Sequence, residues 1–154
     1  MDATSITFDV AGDPIPQPRA RFANGRTYTP TKNGIGLYKR AIGLAATVRA
    51  RFAKWDRTEG PVGIDIEAIF ARPPSHFTKS GELRAGAPGY PGRRSGDNDN
   101  LEKGVWDAIT VAGTVWADDS QIVENRCRKR YAARGENART IVTVWRLADA
   151  APPS

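Results

Sequence analysis

The sequence is poor in the residues that build disulfides, histidine metal sites and membrane spans. It has one cysteine, Cys127, and one histidine, His76. A single cysteine excludes an internal disulfide, and a single histidine excludes a zinc site built from several histidines. The sequence contains no run of about 18 apolar residues, so no transmembrane helix is predicted. Its first residues lack the basic, apolar and small-residue order of a signal peptide. We therefore expect a protein of a reducing cytosol.

The charge balance indicates a polyanionic partner. Lysine and arginine number 23 against 17 acidic residues, which gives a net charge of +6 and a pI of about 9.8. A domain this basic suits nucleic acid, although an incidentally basic surface is the alternative. Hydrophobic residues make up 40% of the 154 positions. That share and this length predict one globular domain over residues 1–154.

Alternating apolar and polar residues predict strands at 6–12, 62–71 and 140–147. A hairpin or extended strand is expected between 115 and 132, with Cys127 as a small buried residue. A mixed sheet of about four strands packed with two main helices follows, which is a small α+β domain. Residues 148–154 are expected to be a frayed tail.

Two segments carry apolar residues at helical spacing. The first covers 36–56, and its apolar stripe is expected to pack on the domain while lysines and arginines cover much of the remaining surface. This stripe consists of Leu37, Ala41, Leu44, Ala45, Val48 and Phe52. The second stripe consists of Leu101, Val105, Ala108, Ile109 and Ala112, and Gly113 ends it.

Two long loops are predicted. In segment 13–30, prolines exclude a central strand or helix, and Asn24-Gly25 offers a turn. Its basic residues are interleaved with Phe22 and Tyr28. This pattern is typical of a segment that binds along a phosphate backbone, and the alternative is a solvated loop. Those basic residues are Arg19, Arg21 and Arg26. Segment 72–96 is rich in proline and glycine, and loops of this length are often functional or disordered.

Acidic residues gather at GDNDNLEKGVWDAI, residues 96–109, in this basic chain. Helix capping explains one of them, because Asp99 or Asn100 is a good N-cap and acids near a helix start are favoured. Capping does not require Asp97, nor the later pair Asp118 and Asp119. A metal site is therefore the competing explanation for the cluster.

A metal would bring these carboxylates to one point. If 97–99 is extended, Asp97 and Asp99 point the same way, and Mg²⁺ needs only one or two carboxylates plus a substrate phosphate. Asp118 or Asp119 would supply a third ligand and allow two ions, which activate water for phosphodiester hydrolysis. Lys103 follows Asp99 by one helical turn and would contact the phosphate. Its alternative role is an ion pair with Asp99 or Asp107.

DNDNLEKGVWDAI followed by VWADDSQIVENRCRKR resembles the RusA-type Holliday-junction resolvases, a family common in bacteriophages and prophages. The resemblance implies that Asp97, Asp99 and Asp119 are catalytic metal ligands, with Asp118 a neighbouring one. It also implies that Lys103 is required for activity, and Lys129 matches a late lysine. Gly96 departs from the family pattern, in which proline often precedes the first aspartate.

The resemblance further implies a homodimer that uses Mg²⁺, with Mn²⁺ as a substitute, and takes part in DNA recombination and repair. Such an enzyme makes paired symmetric nicks in four-way or branched DNA in the cytoplasm of a bacterial or phage-infected cell, without a membrane. The residues expected to bind DNA are Arg19, Arg21, Arg26, Arg126, Arg128 and Lys129. Two alternatives stay open: a non-catalytic DNA-binding module, and another metal-dependent nucleic-acid phosphodiesterase.

Overall fold

Six strands and two α-helices make up the computed structural model, which describes residues 3–19, 21–28 and 34–148. In chain order they are β1 (Ser5–Ala11), β2 (Arg21–Ala23), β3 (Arg26–Tyr28), α1 (Ile35–Phe52), β4 (Val62–Phe70), α2 (Asn98–Ala112), β5 (Ile122–Tyr131) and β6 (Arg139–Arg146). The main sheet has the order β1-β6-β4-β5. Strand β6 pairs antiparallel with β1 and β4, whereas β4 and β5 are parallel. The expected α+β domain with a mixed four-stranded sheet is confirmed.

The parallel pair β4–β5 fixes the direction of α2. Parallel neighbours need a crossover connection, because the chain must return to the end of the sheet at which it started. Helix α2 is part of that crossover: Asn98 donates its side-chain N–H to the carbonyl of Cys127 (3.1 Å), and Asn125 donates to Glu102 (2.7 Å). Helix α2 therefore runs antiparallel to β5, and its N-terminus lies near the carboxyl end of that strand.

Both helices lie on one face of the sheet. Helix α1 packs on β1 and α2, and α2 packs on β5. The core between the layers includes Ile6, Phe8, Ile42, Ile64, Ile66, Val105, Ile109, Trp116, Val142 and Val144. The predicted apolar stripe of α2 is confirmed, since its members from Leu101 to Ile109 are buried. Gly113 ends the helix in a left-handed conformation, with φ of 70°.

The expected buried face of α1 is wrong. The residues that face the core are Ile35, Tyr38, Ile42, Gly43, Ala46 and Ala50. Four members of the predicted stripe are instead exposed: Leu37 by 70%, Leu44 by 67%, Val48 by 45% and Phe52 by 81%. The physical reason is that α1 carries two apolar stripes, and spacing alone does not say which one meets the sheet. The helix also ends at Phe52 rather than at residue 56.

The basic loop after β1 forms a small hairpin, β2–β3, outside the main sheet. Its turn is at Asn24 and Gly25, as predicted, and both have positive φ (52° and 73°). Segment 72–96 is irregular apart from two single 3-10 turns. In the part of the chain that the structure describes, no helix is long and apolar enough to cross a membrane. The predicted tail lies outside the described residues from position 149 onward.

The sheet face opposite the helices is covered by charged side chains and one tryptophan. Arg128 pairs with Asp65 (3.0 Å) and Glu67 (3.2 Å) on the neighbouring strand. Trp145 lies over Gly63 and donates its indole N–H to Glu124 of β5 (2.8 Å). The indole thereby bridges β6, β4 and β5. A Cβ atom at Gly63 would overlap this ring.

Replacing Gly63 with alanine should therefore destabilise the sheet. We expect Gly63→Ala to lower the free energy of unfolding by about 1–3 kcal/mol, because the indole must leave its position. Urea denaturation followed by tryptophan fluorescence measures this change. Gly36→Ala is the control, since a Cβ there meets no atom within 4 Å. Equal stability of the two variants would contradict the packing described for Trp145.

Candidate active site

Asp97 stands at the junction between segment 72–96 and α2. It is the N-cap residue, with φ of −80° and ψ of 149°, and the helix begins at Asn98. The expected cap at Asp99 or Asn100 is wrong by two or three residues, and 97–99 is not one extended segment. Asp97 makes no side-chain capping bond. Its carboxylate is therefore available to another partner.

That partner is a cation from the loop after β1. Arg19 places a guanidinium nitrogen 3.1 Å from Oδ2 of Asp97, and both side chains are largely exposed. The loop is held against the helix start, because the backbone N–H of Gln17 donates to the carbonyl of Asn100 (3.0 Å). Lys39 in turn donates to the side chain of Gln17 (2.9 Å). The Arg19 side chain is therefore tethered beside Asp97 by the chain itself.

Gly96, the residue before Asp97, makes this close contact possible. Gly96 has φ of 84°, in the left-handed region. A Cβ atom at Gly96 would lie 2.5 Å from Cγ of Pro16. Gly96 thus lets the proline-rich loop approach the start of the Asp97 segment, which is a local structural role.

Asp99 and Lys103 lie on the exposed side of α2. Asp99 is in the first turn and accepts a hydrogen bond from the backbone N–H of Asn100 (3.0 Å). Lys103 is exposed and forms no hydrogen bond or ion pair with any described residue. The alternative ion pair with Asp107 is not formed, because Asp107 pairs with Lys39 at 3.7 Å. Lys103 is thus a free cation one turn after Asp99.

Asp118 and Asp119 lie in the turn that precedes β5. Asp118 caps the short 3-10 helix Asp119–Gln121 and accepts from the N–H of Ser120 (3.1 Å). The hydrogen bonds from Ser120 lower the pKa of Asp118 below its ordinary value. The Asp118 carboxylate is therefore engaged in a local turn. Asp119 is half-buried, and its side chain forms no hydrogen bond or ion pair with the described residues.

Gln121 fixes this turn to the rest of the domain. Its side-chain oxygen accepts from the N–H groups of Ala117 and Asp118, each at 2.8 Å. Its amide nitrogen donates to the carbonyls of Thr58 (2.9 Å) and Gly60 (2.8 Å). All four bonds of one amide side chain are thus used to place the Asp118–Asp119 turn before β5.

One chain does not bring Asp119 to Asp97 and Asp99. Asn98 contacts β5 at Cys127, and β5 begins at Ile122, about 16 Å away along the strand. Among the described residues, no group of three or more carboxylate, histidine or cysteine side chains is placed to hold a metal ion. The structure joins Asp97 and Asp99 at one end of α2 and leaves Asp119 at the other. The three-carboxylate ligand set stays a prediction.

Lys129 supports the segment that leads to Asp97. Its ammonium donates to Oγ of Ser95 (2.9 Å) and to the carbonyl of Gly96 (2.8 Å). Ser95 is buried and donates to the carbonyl of Gly92 (2.6 Å). Lys129 is thus a positioning residue for the Asp97 segment, since its charge is directed at protein oxygens.

Cys127, two residues earlier, is half-buried, and burial raises its pKa to about 12.

The residues expected to bind DNA divide into two groups. Arg19, Lys129 and Arg128 are engaged with protein groups, as described above. Arg21 and Arg26 on the hairpin and Arg126 on β5 are exposed, and they form no hydrogen bond or ion pair with the described residues. Free cations therefore remain on the hairpin that follows Arg19 and on the edge strand.

Sequence reasoning missed three residues that hold the site in place. Gln121, Ser95 and Asn98 make the hydrogen bonds that fix the two acidic segments. Gln121 had a signal, because it follows the Asp118-Asp119 pair within the quoted segment VWADDSQIVENRCRKR. Ser95 and Asn98 had none, since their partners come from β5, which is distant in sequence.

Removing the Lys129 ammonium should loosen the Asp97 segment. We expect Lys129→Met to lower the free energy of unfolding by about 1–3 kcal/mol, because a buried serine and a carbonyl lose a charged donor. Hydrogen exchange of the amides at 92–97 should quicken. Arg126→Met is the control, and it should change neither quantity. Unaltered exchange at 92–97 in Lys129→Met would contradict the positioning role.

Similarity to known proteins identifies the family of this chain. The family described as "Endodeoxyribonuclease RusA" matches residues 11–145, which include both acidic segments and Lys129. The chain is similar to crossover junction endodeoxyribonuclease RusA of Escherichia coli K12, with 42% identity over 53 residues. It is equally similar to the protein of that name in Enterobacteria phage 82.

These matched segments are partial. Each covers 34% of this chain and 43% of the relative. The family match is far longer, since it takes in strands β4 and β5, nearly all of β6, both helices and every residue of the candidate site. The chain therefore belongs to the RusA family of endodeoxyribonucleases.

Proposed function

We propose that this protein is a Mg²⁺-dependent endonuclease that resolves four-way DNA junctions by paired, symmetric nicks. The observation that carries the proposal is the pair Asp97 and Asp99 at the start of α2, followed by the unpaired Lys103. The carboxylates are suited to bind a metal ion, and the unpaired lysine is suited to contact a phosphate. Membership of the RusA family gives the reaction class.

The residues present fit a divalent metal. Asp97 already attracts a cation in the form of the Arg19 guanidinium. Mg²⁺ accepts one or two carboxylates and completes its shell with water and substrate phosphate, and Mn²⁺ would substitute for it. When bound, the ion supplies activation of the attacking water and stabilisation of the leaving oxygen. Asp97 and Asp99 would hold it, and Lys103 would stabilise the charge that develops on the phosphate.

The exposed basic residues would bind the DNA arms. Arg21 and Arg26 lie on a hairpin that follows directly after Arg19, so they extend the cationic surface away from Asp97. Arginine contacts with phosphates orient DNA without reading its sequence. This arrangement favours recognition of a branched structure over recognition of a base sequence.

A homodimer would serve two purposes in this reaction. A two-fold protein presents two equal sites to a nearly two-fold junction. It also offers a source for a third carboxylate, since Asp119 of the same chain lies at the far end of α2. Asp119 of a second copy would then complete the ligand set, with Asp118 retained by its capping bond.

A non-catalytic junction-binding module is the second candidate function. The observation that favours it is the incomplete carboxylate set of the single chain. The free Lys103 argues against it, because an exposed lysine beside two carboxylates has no structural role in the described chain. Cleavage of DNA separates the two candidates directly.

Cleavage of a synthetic four-way junction tests the proposal. We expect Mg²⁺-dependent nicking that EDTA abolishes, and little cutting of a linear duplex. Asp97→Asn should reduce cleavage by at least about 1,000-fold, because a metal ligand is lost, while junction binding in Ca²⁺ is retained. Asparagine is as good an N-cap as aspartate, so the helix should remain folded.

Asp107→Asn is the matched control on the same helix, since Asp107 pairs with Lys39 away from the helix start. It should retain cleavage. If the wild-type protein binds junctions tightly but cuts none with Mg²⁺ or Mn²⁺, the binding-module reading replaces the nuclease. Equal cutting of duplex and junction would reject structure selectivity.

Arg19 should compete with the metal for Asp97. We expect Arg19→Gln to strengthen Mn²⁺ binding to the DNA-free protein by about 1.5- to 5-fold, which corresponds to the loss of an exposed ion pair. Isothermal titration calorimetry measures the affinity. Arg21→Gln is the control and should leave it unchanged. Weaker Mn²⁺ binding by Arg19→Gln would place Arg19 among the supports of the site rather than among its competitors.

A further inference from the structure

Segment 72–96 forms one wall of an open cleft at the carboxyl end of β5. The cleft has a volume of about 660 Å³, within the range of roughly 300–1,000 Å³ that is typical of ligand pockets. Its second wall is the turn between β5 and β6, residues 132–136. Tyr131, the last residue of β5, also lines it. None of the candidate-site residues described above lines this cleft, so it is a separate feature of the surface.

Hydrogen bonds hold both walls of the cleft. In the first wall, the backbone N–H of Thr78 donates to the carbonyl of Glu82 (2.7 Å). In the second wall, the N–H of Ala133 donates to Oε1 of Glu136 (2.8 Å), and the Glu136 carboxylate also pairs with Arg130 (2.6 Å). A ligand would therefore meet a surface whose shape is already formed.

An arginine stacked on a tyrosine lines the cleft. The guanidinium carbon of Arg72 lies 4.6 Å from the centroid of the Tyr131 ring. His76 contacts the same ring edge-on, with 5.2 Å between the two centroids. Arg72 donates to the carbonyl of Pro88 (2.7 Å), which fixes the guanidinium plane. Guanidinium and aromatic planes are the surfaces on which unpaired nucleic-acid bases stack.

The rest of the lining suits a flat ring that is attached to a phosphate. Phe77 is half-buried and Leu83 is 52% exposed, and a backbone bridge joins these two residues in the first wall. The side chains of Arg134 and Glu82 are exposed and form no hydrogen bond or ion pair with the described residues. Arginine pairs with phosphate, and a carboxylate accepts an N–H from the edge of a base. The cleft thus offers apolar contacts, one donor group and one acceptor group to a nucleotide.

The cleft adjoins the candidate active site. Tyr131 follows Lys129 by two residues on β5, so both side chains lie on one face of the strand, and their Cα atoms are about 7 Å apart. Lys129 binds the carbonyl of Gly96, directly before Asp97. Tyr131 also packs against the small apolar cluster that includes Leu101 of α2. A DNA strand held at Asp97 would therefore pass close to the cleft.

The charge of segment 72–96 favours a polyanionic strand over a protein partner. The segment contains five basic residues and one acid, Glu82. Four of the basic side chains are exposed and form no hydrogen bond or ion pair within the described part of the chain: Lys79, Arg84, Arg93 and Arg94. Exposed basic side chains bind phosphates and position DNA without reading its sequence. The surface around the cleft therefore attracts nucleic acid.

We propose that this cleft is a subsite for one unpaired DNA base beside the exchange point of a four-way junction. The inference rests on the proposed function and assigns a role to segment 72–96. Extruding a base costs least where its pairing is already weak, and the pairs at an exchange point lack a continuous stacked neighbour. A linear duplex offers no such base, so the subsite would favour the junction over the duplex.

Binding of three synthetic four-way junctions in Ca²⁺ tests the subsite. The first is fully paired, the second has a mismatch at a pair that flanks the exchange point, and the third has an abasic site at the same position. The wild-type protein should bind the mismatched junction about 5-fold or more tightly than the abasic one, since only the former offers a base to stack. Fluorescence anisotropy measures the three affinities.

Tyr131→Leu and Leu83→Ser should each abolish this preference. Leu83 is exposed, so its variant keeps the test valid where loss of the Tyr131 ring destabilises the domain. Tyr90→Leu is the matched control, because Tyr90 is 75% exposed on the same segment but lies outside the lining of the cleft. It should retain the preference.

Two results would overturn the subsite. One is equal wild-type affinity for the mismatched and abasic junctions, which would leave the cleft to a ligand other than DNA. The other is an unchanged preference in both Tyr131→Leu and Leu83→Ser. Cleavage is measured separately, so a wild-type protein that shows the preference but cuts no junction retracts the nuclease and keeps the subsite.

Discussion

The parallel pairing of β4 with β5 is the constraint on which the candidate site depends. A chain that leaves β4 and enters β5 in the same direction must travel back along the sheet. Helix α2 makes that return, so its N-terminus meets the carboxyl end of β5. Lys129, late in β5, can then reach Ser95 and Gly96 just before Asp97. The topology thus brings Lys129 into hydrogen-bond contact with the segment before Asp97, although the two are far apart in the sequence.

The same crossover separates the acidic residues. Fifteen residues of helix lie between the Asp97 end and the turn that holds Asp119, which corresponds to about 22 Å. The two segments of the D-x-D and D-D patterns are neighbours in sequence but are the two ends of one helix in space. A single chain of this fold has Asp97 and Asp99 at the start of α2 and Asp119 beyond its other end.

Sequence periodicity predicted the sheet and α2 well for a physical reason. Strands β1 and β6 alternate buried and more exposed residues, β4 is largely buried, and α2 has one apolar stripe, so alternation and helical spacing identify the buried side. Helix α1 has two apolar stripes at helical spacing, and the one chosen from the sequence is the one that faces outward. Periodicity reports which residues share a face, but only the rest of the fold decides which face meets the core.

Local sequence signals did not predict the helix start or the partner of Arg19. The helix start was placed at Asp99 or Asn100 because both are good caps, yet Gly96 with its positive φ turns the chain so that Asp97 takes the cap position. Arg19 was expected to bind DNA, but the contacts of Pro16 and Gln17 with the start of α2 bring it to Asp97. The ion pair joins two residues that are 78 positions apart in the sequence. Spacing along the chain contains no information about such contacts.

The distribution of charge links these features. In this basic chain three of the clustered acids have a cation or a hydrogen-bond donor as a partner. Arg19 forms an ion pair with Asp97, the N–H of Ser120 donates to Asp118, and the N–H of Asn100 donates to Asp99. Of these partners only Arg19 carries a charge, whereas Lys129 and Gln121 hold the backbone of the acidic segments through several bonds. An exposed ion pair adds little stability, so the counter-charge at Asp97 can be exchanged while the backbone of the segment stays in place.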